Sequence, residues 1–84
     1  MNSINFQDKN GDTALIRATR DNNIREVKKL IVSGANLDIQ DNEGYTALMW
    51  ASIRGYIAIV KMLIKKDDRI ISHIQTDRNH DIIN

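Results

Sequence analysis

Apolar residues recur along this chain with helical spacing in two long stretches and alternate with polar residues in two shorter ones. Ile24, Val27, Leu30 and Ile31 stand at i, i+3, i+6 and i+7, and Ile57, Val60, Leu63 and Ile64 reproduce the spacing. A stripe of that period is one face of an α-helix, which predicts helices over roughly 24–33 and 57–66. Shorter helices are predicted ahead of them, over roughly 13–20 and 46–53, where Leu15 and Ala18, like Leu48 and Ala51, share a face. Thr13 and Thr46 suit an N-cap or first-turn place, since a hydroxyl there satisfies an otherwise unpaired backbone N–H. Asn22-Asn23 and Gly55-Tyr56 make the tight connections between the helices, because Asn and Gly most readily take the left-handed conformation that ends a helix. Gly34 closes the first long helix in the same way. The alternating stretches are Ile4-Asn5-Phe6-Gln7-Asp8 and Leu37-Asp38-Ile39-Gln40-Asp41, which read as extended chain. Each leads to a glycine turn, Asn10-Gly11 or Glu43-Gly44, so each helix pair opens with a short projecting hairpin or turn.

The two halves are the same unit written twice. Gly11-Asp12-Thr13-Ala14-Leu15-Ile16-Arg17-Ala18 returns 33 residues later as Gly44-Tyr45-Thr46-Ala47-Leu48-Met49-Trp50-Ala51. Asp8 and Asp41 precede their glycines by equal distances, and eleven of the 33 pairs are identical. A fixed period of this size marks stacked units, none of which can bury both sides of its helix pair alone. The register divides the chain into a partial hairpin or cap at 1–7, one unit at 8–40, a second at 41–73 and a truncated third unit or tail at 74–84. The second unit is altered at its end, with Asp67-Asp68-Arg69 where the first has Gly34-Ala35-Asn36. Ile74-Gln75 and then Asp77 echo Ile39-Gln40-Asp41, and His80 falls where a turn glycine is expected.

The run Asp-x-x-Gly-x-Thr-Ala-Leu-x-x-Ala, followed by Ile-x-x-Val-Lys-x-Leu-Ile and then Gly-Ala-Asn-Leu-Asp, resembles the ankyrin repeat closely over 8–66 and loosely on both flanks. Two departures stand out. Ala14 and Ala47 occupy the family's usual Pro, a conservative change, while Ile16 and Met49 occupy its usual His and forgo the hydrogen bonds that His makes between units. The resemblance implies an all-α solenoid of stacked helix-turn-helix units with turn tips. It also implies a non-enzymatic protein-binding module, an adaptor or small inhibitor, that uses the tips and the exposed side of the first helices as one concave surface. Carried onto this chain, the implied contact residues are Lys9, Asn10, Asp12, Arg20 and Asp21 in one unit and Asn42, Glu43, Tyr45, Ile53 and Arg54 in the other. These are positions where the copies differ most, as expected of a constant scaffold carrying variable contacts. Tyr45 and Ile53 are the sharpest candidates, being large apolar groups at positions expected to face solvent.

Composition removes several other classes. The chain of 84 residues is one small domain of marginal stability. Without cysteine it has neither disulfides nor thiolate metal sites, and without proline it lacks one means of stiffening turns. Twelve basic and eleven acidic side chains leave a net charge of +1, too little to favour nucleic acid or an anionic membrane overall. No membrane-spanning run and no secretory signal is visible, so a soluble, intracellular, cytoplasmic protein is expected. Lys28, Lys29, Lys61, Lys65, Lys66 and Arg69 place a basic stripe on the second helices, which Glu26, Asp67 and Asp68 dilute and no aromatic residue interrupts. A solvated outer face is the expected reading, with polyanion binding the alternative. Trp50 is expected in the core against the adjacent unit, and Tyr56 half-exposed at its turn.

No cofactor or metal is expected. His73 and His80 are the only imidazoles and both lie in the irregular tail; Asp77, His80 and Asp81 match no recognised ligand spacing. The glycines are accounted for by turns rather than by a phosphate loop. With two complete units, the end faces of the stack are expected to lack partners unless Ile4 and Phe6 cover one and Ile70, Ile71 and Ile74 the other. Uncovered, they predict association end to end into a homo-oligomer.

Overall fold

A computed structural model describes residues 3–67. The end of the second unit beyond them, the echo at 74–84 and the covering role assigned to Ile70, Ile71 and Ile74 lie outside the described residues. Within them there are four helices and no strand: α1 (Ala14–Arg20), α2 (Ile24–Val32), α3 (Ala47–Arg54) and α4 (Ile57–Asp67).

Their ends follow from local chemistry. Thr13 and Thr46 stand just outside α1 and α3 as N-caps, and each hydroxyl accepts the N–H three residues on, from Ile16 at 3.1 Å and from Met49 at 3.2 Å. The Asn23 side chain caps α2 likewise, taking the Glu26 N–H at 3.2 Å. Asn22 (φ 54°) and Gly55 (φ 72°) both take the left-handed conformation at equivalent connections. The residue after each returns its N–H into the helix just ended, Asn23 to the Ala18 carbonyl and Tyr56 to the Ala51 carbonyl, both at 2.9 Å. Gly34 and Ala35 close α2 with the same pair of bonds, the Gly34 N–H reaching Ile31 O and the Ala35 N–H reaching Leu30 O.

The helices form two layers. α1 packs on α2 within its unit and on α3 of the next; α4 packs on α3 and on α2. Leu15, Ile16, Ala18, Val27, Ala35, Ala47, Ala51, Ile59 and Leu63 form the core, and Leu30, Ile31, Leu37, Leu48 and Tyr56 pack against it half-buried. Small Ala18, Ala47 and Ala51 let α1 and α3 lie close.

Three expectations need correction. Ile24, Ile57 and Ile64, assigned to the buried stripes, are 44 %, 60 % and 42 % exposed. The core of α4 is instead Ile59 with Leu63, four residues apart, because the face that matters is the one turned to α3 and α2. At the N-terminal end Ile4 packs on the core, whereas Phe6 is exposed and covers little. Finally, the extended stretches make turns without a paired strand among the described residues.

Candidate functional site

Each tip is built by one aspartate. Asp8 Oδ1 accepts the N–H groups of Asn10 (2.9 Å) and Asp12 (3.0 Å), and the Gly11 N–H reaches the Asp8 carbonyl at 2.8 Å. Asp41 does the same for Glu43 and Tyr45, both at 2.9 Å, with the Gly44 N–H on its carbonyl. These amide donors matter for charge. The Asp12 N–H, opposed by desolvation, holds the Asp8 carboxyl below its ordinary value, with help from the Asn10 N–H and the nearby arginines. Burial pushes Asp41 up, but the Tyr45 N–H, the Trp50 indole N–H and the Glu43 N–H together outweigh it, and its carboxyl also lies below the ordinary value.

The tips are then joined edge to edge. The Asn42 N–H donates to the Asn10 carbonyl at 3.1 Å, and Asn42 Nδ2 donates to the Lys9 carbonyl at 2.8 Å. Gln7 Nε2 reaches both Gly11 O in its own tip (2.8 Å) and Gln40 O in the next unit (2.9 Å). Gly11 sits inside this junction. Its φ is 80°, and a Cβ there would stand 2.5 Å from Asn42 Oδ1 and 2.6 Å from the Asn42 nitrogen, so only glycine fits.

Behind the tips lies a platform. Trp50 Nε1 donates to Asp41 Oδ2 at 2.9 Å, tying α3 to its own tip. The Tyr45 ring meets the indole edge to face at 5.1 Å, and the guanidinium carbons of Arg20 and Arg54 lie 5.4 and 5.5 Å from the indole centroid. Arg20 comes from the first unit and Arg54 from the second, so the indole is a shared seat for both. Arg20 also pairs with Asp12 at 2.5 Å, while Arg17 reaches Asp8 only at 3.9 Å; these are the ion pairs among the described residues. A cavity of about 200 Å³ opens between the tips, lined by Asn10, Asp12, Arg20, Asp41, Asn42 and Glu43.

Of the ten residues singled out in sequence, Lys9, Asn10, Asp21, Asn42, Glu43, Ile53 and Arg54 are exposed, and Arg20 and Tyr45 are half-buried. Asp12 is the exception. It is 2 % exposed because its carboxylate pairs with Arg20, so it meets the surface only as part of the wall of the cavity between the tips. Asn42 is exposed, yet its amide already serves the neighbouring tip. Trp50, expected in the core against the adjacent unit, packs on the core and meets Arg20 of that unit, but it stays half-buried and forms the centre of the platform. The sequence carries a signal for it, since Trp50 stands opposite Arg17 in the repeat and the copies differ there as they do at the implied contact positions. Tyr56 is half-buried as expected, its hydroxyl 3.5 Å from the Arg20 carbonyl.

The remaining chemistry is sparse. Among the described residues no group of three His, Cys, Asp or Glu is placed to hold a metal ion; His73, Asp77, His80 and Asp81 lie outside them. No described helix is long and apolar enough to cross a membrane.

Comparison with known proteins places this geometry. A family model described as ankyrin repeats (3 copies) matches residues 1–75. A putative ankyrin repeat protein of Acanthamoeba polyphaga mimivirus is 38% identical over 68 residues, 81% of this chain and 9% of that protein. Among solved structures, the ankyrin repeat domain of Bcl-3 superposes with a TM-score of 0.75 at 35% identity, over 77% of this chain and 29% of that one. A chain from the complex of the predatory endopeptidase Bd0816 of Bdellovibrio bacteriovorus with the immunity protein Bd3460 gives a TM-score of 0.73 at 34% identity, over 76% of this chain and 33% of its own length. This chain therefore spans a small part of the first curated relatives and about a third of the solved chains it matches.

Proposed function

This chain belongs to the ankyrin-repeat family, and we propose that it is an adaptor or small inhibitor that holds a partner protein against its tips and the α1/α3 face. The family's fold is a protein–protein interaction module, and one solved complex that resembles it contains an immunity protein with an endopeptidase. The observation that carries the reading is the Trp50 platform. An aromatic ring tied by its N–H to Asp41, seated among Tyr45, Arg20 and Arg54 and bordered by exposed Ile53, is the composition that anchors an interface. Preorganisation supports the same reading. Because Asn42 and Gln7 bind the tips to one another, a partner meets a surface already ordered and loses less entropy on docking. Compartment and partner follow as proposals of the same kind: another protein inside the cell, met without cofactor or catalysis.

Affinity capture from the native lysate tests this. Ile53→Asp with Arg54→Ala should abolish retention of a specific partner while leaving the melting curve within about 0.5 kcal/mol of the parent, as surface changes do. Undiminished retention by that variant would remove the α1/α3 face from the interface.

A further inference from the structure

The opposite side of the stack has its own feature. A recess of about 480 Å³ lies between α2 and α4, open to solvent and lined by Ile24, Lys28, Ile31, Val32, Met62 and Lys65. Four of the six are apolar, and Val32 is 78 % exposed. Water thus meets a hydrocarbon floor, which is unfavourable unless something covers it. Lys28 and Lys65 are exposed, and among the described residues neither is in an ion pair. Charge is segregated as well: Arg25, Lys28, Lys29, Lys61 and Lys65 stand exposed on α2 and α4, against two carboxylates on these helices, the half-buried Glu26 and Asp67 at the end of α4. The near-neutral total therefore hides a basic outer face, since the ion-paired arginines belong to α1.

Shape and charge select the occupant. A trough running beside the nine residues of α2 is about 13 Å long, which suits a helix laying an apolar stripe into a groove. A second copy of this chain is a poor occupant, because its own amphipathic outer helices bring the same cations. A bilayer meets the lysines but leaves the half-buried Ile31 and Met62 uncovered. Nucleic acid finds no aromatic ring in the groove and no match for its floor. We propose that the groove between α2 and α4 docks an amphipathic helix of a partner protein whose apolar stripe is bordered by Asp or Glu. This surface is separate from the tips and the platform, so its test stands apart from theirs.

Fluorescence anisotropy with the whole chain provides that test. The probe is a synthetic helical peptide of about 18 residues, with Leu at i, i+3, i+4 and i+7 and Glu bordering the stripe; its counterpart carries Lys in place of Glu. The Glu peptide should bind and the Lys peptide should not. Lys28→Glu with Lys65→Glu should weaken the Glu peptide about tenfold and admit the Lys peptide. Val32→Glu, at an exposed site that the fold tolerates, should weaken the Glu peptide too. Circular dichroism would confirm that the helices of these variants persist, and Ile53→Asp should leave binding unchanged. The proposal is overturned if both peptides bind alike or if charge reversal has no effect. It is equally overturned if anionic vesicles are bound in place of the Glu peptide, or if sedimentation shows copies of the chain associating through this face.

Discussion

Thr19 and Ser52 hold the same place in their units and differ by a methyl group, yet Thr19 is fully buried and Ser52 is exposed. Ile16 and Met49 repeat the contrast at 1 % and 43 % exposure. The opposite side of the units reverses it: Ala47 and Leu63 are buried where Ala14 and Leu30 are half-buried, and buried Ile59 stands where the first unit has Glu26. Burial is therefore set by the neighbour and not by the place in the repeat. The C-terminal side of the first unit and the N-terminal side of the second make one seam. The remaining sides look outward among the described residues.

The largest test of this contrast lies in the core. Leu63→Ala should cost about 2–5 kcal/mol, the range for a large-to-small change at a fully buried site. Leu30→Ala, at the equivalent half-buried position, should cost distinctly less. Equal shifts of the urea midpoint would mean that both leucines are equally covered, and the single-seam picture would fail.

The tips carry the next effect. Gly11→Ala and Gly44→Ala both force an L-residue to positive φ, at about 1–2 kcal/mol each. Only Gly11 has the neighbouring tip against it; a Cβ at Gly44 would meet nothing within 4 Å among the described residues. Gly11→Ala should lower the melting temperature more than Gly44→Ala, and the reverse order would contradict the tip-to-tip junction.

The smallest effect is electrostatic. Both tip aspartates have carboxyls held below the ordinary 3.8, so their contribution to stability is complete above that pH and is lost as acid protonates the folded form. Asp41 alone accepts the indole N–H of Trp50, the single tryptophan. Tryptophan emission should therefore change as pH falls below about 4. Asp41→Asn should remove that step, and Asp8→Asn should retain it. A step surviving in Asp41→Asn would assign it to another group.

Much of this could be read in the residues alone. Thr13 and Thr46 capped the helices they were expected to cap, Asn22 and Gly55 took the left-handed turn, and the repeat announced a stack of helix pairs. These features are local, governed by a few torsions and by hydrogen bonds within five residues of chain. Four matters were settled only by the packing of one unit on another: Asp12 paired with Arg20, Trp50 drawn out between two arginines, Ile57 left in solvent while Ile59 was buried, and an apolar trough between α2 and α4. Each depends on contacts between residues distant in the chain or on which side of a helix meets a neighbour. A helical period says that one face is apolar, but only the adjoining helix decides which part of that face is dry.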